Sequence, residues 1–170
     1  MTATPRRAVR TYLEMRAPGE LQPAPPPSSG AVVERAEACS PDLWRRLYRE
    51  VGQEYHWVDR LAWTDDEISR YLADPALELW LLEDAGELAG YFELRKHADG
   101  AVEIAYFGLL PAAIGRGLGK YLLTRAVEQA WARGATRVWV HTSSLDHSSA
   151  LPNYLARGFT IWKQETYDVG

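Results

Sequence analysis

Leu109-Leu-Pro-Ala-Ala-Ile-Gly-Arg-Gly-Leu-Gly-Lys-Tyr-Leu-Leu123 is the stretch on which the reading of this chain turns. It joins a strand pattern, Val102 to Leu110, to a helical pattern, Leu118 to Arg133. Gly115, Gly117 and Gly119 fall at alternate positions where the helix begins. Glycine lets backbone N–H groups face outward with no Cβ in the way. A helix start leaves its first four N–H groups without intrahelical partners, and the helix dipole adds partial positive charge there. Arg116 and Lys120 contribute formal charge beside it. The stretch is therefore a candidate cradle for a phosphate-bearing ligand.

Two common phosphate loops fail on spacing. A Walker A loop, G-x-x-x-x-G-K-[ST], would need glycine where Ile114 stands and Ser or Thr where Tyr121 stands. A dinucleotide fingerprint, G-x-G-x-x-G, would need its third glycine at Lys120 or Leu122. What remains is strand, proline-containing loop, alternate glycines and amphipathic helix.

The 170 residues suit one domain with a proper core, and 46% hydrophobic with 25% charged residues is the composition of a globular protein. A net charge of −4 argues against general nucleic-acid binding. No apolar run approaches the ~20 residues of a membrane span, and no apolar segment follows Arg6, Arg7 and Arg10 as a secretory signal requires. The single Cys39 allows no internal disulfide. A cytoplasmic protein without a membrane or nucleic-acid partner is the expectation.

Residues 1–30 read as an N-terminal extension. Ala8 to Arg16 is a candidate edge strand, followed by a proline-rich surface connection containing Pro23, Pro25, Pro26 and Pro27. From residue 31 onward the order is regular. A strand at Ala31–Ala36 precedes a helix opened by Ser40-Pro41, with Leu43, Trp44, Leu47, Tyr48 and Val51 at helical spacing. Thr64-Asp-Asp-Glu67 is a capping box for a second helix. Three strands follow, Leu77–Leu82, Leu88–Lys96 and Val102–Leu110, with hairpin turns at Asp84-Ala-Gly86 and His97-Ala-Asp-Gly100. After the long helix, Gly134 marks a C-terminal cap. A strand at Arg137–Thr142, a short helix at Ser148–Ala156 and a last strand at Phe159–Tyr167 complete the chain. Antiparallel hairpins followed by a βαβ crossover predict an α/β sandwich on a mixed, mostly antiparallel sheet.

Both the loop Ile114-Gly-Arg-Gly-Leu-Gly119 and this order of elements resemble the GCN5-related N-acetyltransferase (GNAT) superfamily, over residues 31 to 168. The loop pattern there is [QR]-x-x-G-x-[GA], and Ile114 replaces its first polar residue. The resemblance implies a three-layer α/β sandwich over residues 31–170 and transfer of acetyl from acetyl-CoA directly to a primary amine. Leu109, Leu110, Ile114, Gly115, Arg116, Gly117, Leu118, Gly119 and Lys120 would hold the coenzyme. A non-catalytic acyl-CoA sensor is the alternative, and a second copy of the chain is a candidate partner, because dimers are common in the family.

Acetyl transfer needs a base for the amine and an acid for the leaving thiolate. Glu103 lies fourteen residues before Gly117, where glutamate-dependent members of the family carry their base. Strict alternation through Val102–Phe107 would set it on the same face as Phe107, and burial makes a carboxylate a better proton acceptor. Glu93 on the preceding strand is the second candidate. Tyr154, four positions before Gly158-Phe159, matches the family tyrosine that protonates the thiolate, whereas His147 replaces an asparagine common upstream. Tyr55, His56, Trp57 and Asp59, with Glu93 and Tyr106, suit an amine acceptor through cation–π contact and an ion pair. The same aromatics would equally pack a structural cluster. His56, His97, His141 and His147 form no close ligand pair, so no metal is expected.

Overall fold

Seven strands and four helices carry the chain in the computed structural model, which describes residues 4–169. The strands are β1 (Arg6–Met15), β2 (Val32–Arg35), β3 (Leu77–Asp84), β4 (Glu87–Lys96), β5 (Val102–Leu109), β6 (Val138–Ser143) and β7 (Thr160–Val169). The helices are α1 (Pro41–Gly52), α2 (Asp65–Ala73), α3 (Leu118–Ala132) and α4 (Ala150–Ala156). Local signals act where the sequence reading puts them. Ser40 accepts the Leu43 N–H at the start of α1. The Thr64–Glu67 capping box closes in both directions at α2, and Gly134 adopts positive φ just past α3.

The strands form one sheet in the order β2-β3-β4-β5-β6-β1-β7. Every neighbouring pair is antiparallel except β5 and β6. One face of the sheet packs on α3 and α4 through Leu118, Leu122, Leu123, Ala126, Val127 and Tyr154. The other packs on α1 and α2 through Trp44, Leu47, Tyr48, Val51 and Ile68. The sandwich therefore has three layers, with a core on each side of the sheet. Each fully buried Leu or Val stabilises it by about 1.5–3 kcal/mol relative to an exposed one.

The N-terminal strand departs from expectation. β1 is an interior strand, antiparallel to β6 on one side and to β7 on the other. β6, α4 and β7 form a crossover whose two strands run parallel, and β1 fills the space between them. Leu13 and Met15 enter the core, while on the opposite face Glu14 is held by Arg16 and Arg137. The proline-rich connection is likewise more than surface chain. Ala24 is buried, its N–H bonds Thr124 Oγ1 of α3 at 2.9 Å, and the Gln22 N–H bonds the Arg157 carbonyl at 2.9 Å. The segment is a strap across α3 and the end of α4.

Two irregularities in β5 shape the site. Opposite β4 the register runs Leu94↔Ile104 and then Glu93↔Tyr106, which leaves Ala105 unpaired as a β-bulge. The extra residue resets the alternation. Val102, Ile104 and Phe107 contact the α3 side, and Tyr106 the α1–α2 side. Glu103 thus lies on the sheet face opposite Phe107, contrary to the strict-alternation expectation. Between β5 and β6 the parallel ladder holds only Val102↔Val138 and Glu103↔Trp139. Past that point the strands part, and the gap is the floor of a cleft.

Candidate active site

The cleft is a cavity of about 1420 Å³, walled by the parted strands, the α1–α2 connection, the N-terminus of α3 and one side of α4. Gly115 (φ 84°) and Gly117 (φ 74°) hold left-handed backbone at the start of α3, where a side chain would be strained. A Cβ at Gly115 would meet no atom within 4 Å, and one at Gly117 only Lys120 Cε at 3.7 Å, so no close packing requires these glycines. Gly117 is the N-cap of α3 and offers no capping side chain. The first-turn N–H groups are left for a ligand or water, the arrangement that binds anions. Ile114, Leu118, Gly119 and Lys120 share this wall, and Leu109 closes the end of β5.

Two residues expected in the cradle are elsewhere. Arg116 turns away from the cavity and pairs with Asp84, a side chain only 2% exposed. A buried carboxylate at the end of β3 draws the guanidinium more strongly than an open cleft does. Leu110 is buried in the α1–α2 core, and its N–H already donates to the Ala89 carbonyl at 2.8 Å.

Glu103 and Tyr154 both reach the cavity. The Glu103 carboxylate lies 2.9 Å from His97 Nε2 of the preceding turn. Tyr154, on α4, is 5% exposed and packs against Phe107 and Phe159. Burial raises its phenol pKa, and the charge of Asp146 adds to the rise, so the hydroxyl keeps its proton through the neutral range. Next to it the Asn153 amide donates to the Gly119 carbonyl at 3.2 Å, joining α4 to the cradle.

On the acceptor side Tyr55, His56, Trp57, Asp59 and Tyr106 all line the cavity. Trp57 packs edge-on against Tyr106, and its Nε1 reaches Asp146 Oδ1 at 3.3 Å, so the α1–α2 connection spans the cleft. Asp146 is itself fixed by the Ser143 N–H at 2.8 Å and Thr142 Oγ1 at 2.7 Å.

Glu93 is the third departure: it does not reach the cavity. It is 0% exposed and receives hydrogen bonds from Trp44 Nε1 at 2.9 Å, Arg60 Nη1 at 3.0 Å and Tyr71 OH at 3.2 Å. The Arg60 guanidinium sits among Trp44, Trp63, Tyr71 and Tyr106, with its carbon 4.0 Å from the Tyr106 ring centre. A carboxylate with this many donors is a structural anchor, and both readings of the aromatic run apply to different residues. Trp63 packs against Arg60, whereas Tyr55 and Trp57 face the cleft.

Arg60, in the aromatic run, and His141, weighed only as a metal ligand, line the cavity too, as do Asn153 and Arg157, to which sequence reasoning gave no role. Asn153 had a signal, its place beside Tyr154; Arg157 had none of its own. Burial and the Arg10 charge lower the His141 pKa and keep that imidazole neutral. Among the described residues no group of three or more His, Cys, Asp or Glu is arranged to hold a metal ion. No helix there is long and apolar enough to cross a membrane.

The model of the Acetyltransferase (GNAT) family matches residues 39–159, which contain both the cradle and Tyr154. The chain belongs to the GNAT family. A mycothiol acetyltransferase from Mycolicibacterium gilvum is 27% identical over 164 residues, covering 91% of this chain and 54% of that protein. The chain thus spans about half the length of the curated relatives it matches. Among solved structures, a GCN5-related N-acetyltransferase from Kribbella flavida superposes with a TM-score of 0.65 at 21% identity, over 93% of this chain and 56% of that one. A GCN5-related N-acetyltransferase from Sphaerobacter thermophilus gives 0.64 at 20%, over 97% and 52%. These two likenesses establish the GNAT fold.

Proposed function

We propose that this GNAT chain transfers an acetyl group from acetyl-CoA directly to a primary amine. The observation that carries the reading is that the open glycine cradle, Glu103 and Tyr154 all front one cavity at the parting of β5 and β6. Acetyl-CoA supplies a thioester, whose acyl carbon an unprotonated amine attacks to form the amide as the C–S bond breaks.

The chain's own groups account for binding and protons. The first-turn N–H groups of α3, with Lys120, hold the diphosphate. Glu103 accepts the proton lost by the amine, directly or through water, and His97 orients its carboxylate. Tyr154, kept protonated by burial, donates to the departing thiolate. Tyr55, His56, Trp57, Asp59 and Tyr106 form the acceptor wall, where aromatic faces and one carboxylate suit a cationic amine.

Thiol release from acetyl-CoA across a panel of primary amines, for wild type beside Tyr154→Phe, tests this. Acceptors related to mycothiol head the panel, because the curated relatives are mycothiol acetyltransferases. Release with one amine class, lost in Tyr154→Phe while coenzyme binding persists, is the expected result. Tight acetyl-CoA binding with no release from any amine would replace the enzyme by an acyl-CoA sensor.

A further inference from the structure

Glu93 is matched by Arg60, Asp84 on one oxygen by Arg116, and Glu14 by Arg16 and Arg137. The half-buried Arg157 is a cation without such a match: its Nε and Nη1 are sealed from solvent with no hydrogen-bond partner among the described residues, as are Asp84 Oδ1 and Trp131 Nε1. Such a group is costly unless something pairs with it.

Its position limits what that partner is. Arg157 is the C-cap of α4, and it lines the same cavity as the cradle. Helix side chains lean toward the N-terminus, which carries Arg157 back over the turn of Asn153, the residue bonded to the Gly119 carbonyl. The backbone that carries the side chain is fixed at both its polar groups. The Arg157 N–H donates to the Asn153 carbonyl at 3.0 Å, and its own carbonyl accepts the Gln22 N–H of the strap at 2.9 Å. Behind it the strap packs so closely that a Cβ on Gly158 would stand 2.0 Å from the Glu20 carbonyl oxygen. A guanidinium carried on so fixed a backbone suits an oxyanion, which its unpartnered N–H groups can meet.

We propose that Arg157 binds an oxyanion carried by the ligand of this cavity, a phosphate or carboxylate that pairs with its unpartnered N–H groups. The proposal rests on the acetyltransferase reading only for the choice of ligands. That reading offers two sources of the anion, the phosphates of the coenzyme and a carboxylate on the acceptor.

Calorimetric titration of coenzyme A and of 3′-dephospho-coenzyme A into wild type, Arg157→Gln and Arg157→Lys separates the sources. A phosphate source predicts about ten- to hundred-fold weaker coenzyme A binding in Arg157→Gln, with Arg157→Lys between. If the 3′-phosphate is the partner, dephospho-coenzyme A binds wild type and variant alike; if the diphosphate is, both ligands lose equally. A carboxylate source leaves the coenzyme affinities unchanged and raises the KM of an amino acid relative to its decarboxylated amine. Thermal unfolding without ligand supplies the control. Arg157→Gln melts no lower than wild type, because the guanidinium it removes leaves two sealed donors unpartnered, and it gains less from coenzyme A if a phosphate is the partner. Two results overturn the inference: a ligand-free Arg157→Gln that melts well below wild type, or a variant in which neither coenzyme affinity nor carboxylate discrimination moves. Failure of wild type to bind coenzyme A would instead overturn the acetyltransferase reading, and the inference with it.

Discussion

Replacing Glu93 by Gln tests whether this carboxylate is a structural anchor or a base. The substitution nearly preserves shape and retains an acceptor for the Trp44 indole, which lies 2.9 Å from Oε1. It removes the counter-charge of Arg60, whose side chain is only 12% exposed. Removing one partner of a buried ion pair costs about 3–5 kcal/mol. The four rings around the guanidinium still favour a cation, which places the loss near the lower end, about 3 kcal/mol. At roughly 2–4 °C per kcal/mol for a domain of this size, the melting temperature falls by roughly 6–12 °C. Arg60→Met strands the opposite charge and costs a similar amount, whereas the double variant buries neither charge and costs far less than the sum. Urea unfolding of the four proteins measures the coupling, expected at 2 kcal/mol or more by the same buried-pair argument. Additive losses, or a Glu93→Gln cost below about 1 kcal/mol, would refute the anchor. So would a variant of undiminished stability and coenzyme affinity whose turnover is abolished, because that is how a base behaves.

Tyr154→Phe keeps the packing on Phe107 and Phe159 and leaves coenzyme binding intact. The turnover of the proposed reaction should drop by about 10²–10⁴-fold, checked by kcat alongside calorimetric affinity. Gly117→Glu sets a side chain on left-handed backbone and a negative charge at the cradle; acetyl-CoA binding is lost, while folding costs about 1–2 kcal/mol and circular dichroism stays native. Unchanged affinity would mean that α3 does not receive the diphosphate. Burial, then the negative charge of Glu93, pushes the Cys39 thiol from 9.0 up to about 11. At pH 8 its thiolate fraction is then about 100-fold below that of an ordinary thiol, and iodoacetamide labelling slows in proportion. The rate climbs as pH rises toward 11, and labelling at pH 8 as fast as in urea would contradict the burial.

The local chemistry of this protein is written in its sequence, because it depends on neighbours a few residues apart. Ser40 and Thr64 start their helices, Gly115 and Gly117 open the cradle, Gly134 ends α3, and Tyr154 stands a fixed distance from Gly158-Phe159. These features suffice to order the elements, to reject two other phosphate loops and to identify the family resemblance. Interactions between distant segments lie beyond such a reading. Whether β1 lies at the edge or inside the sheet depends on the space between β6 and β7. The face that Glu103 occupies depends on one unpaired residue, Ala105, whose bulge only pairing with β4 reveals. Arg116 leaves the cradle for Asp84, thirty-two residues earlier, and Glu93 leaves the acceptor wall for Arg60, because buried opposite charges find one another across the fold. Arg157 lies between Tyr154 and Gly158 at a position to which the family pattern assigns no residue type. What sets it apart is a missing partner, and a missing partner can be recognised only after every surrounding group has been placed in three dimensions.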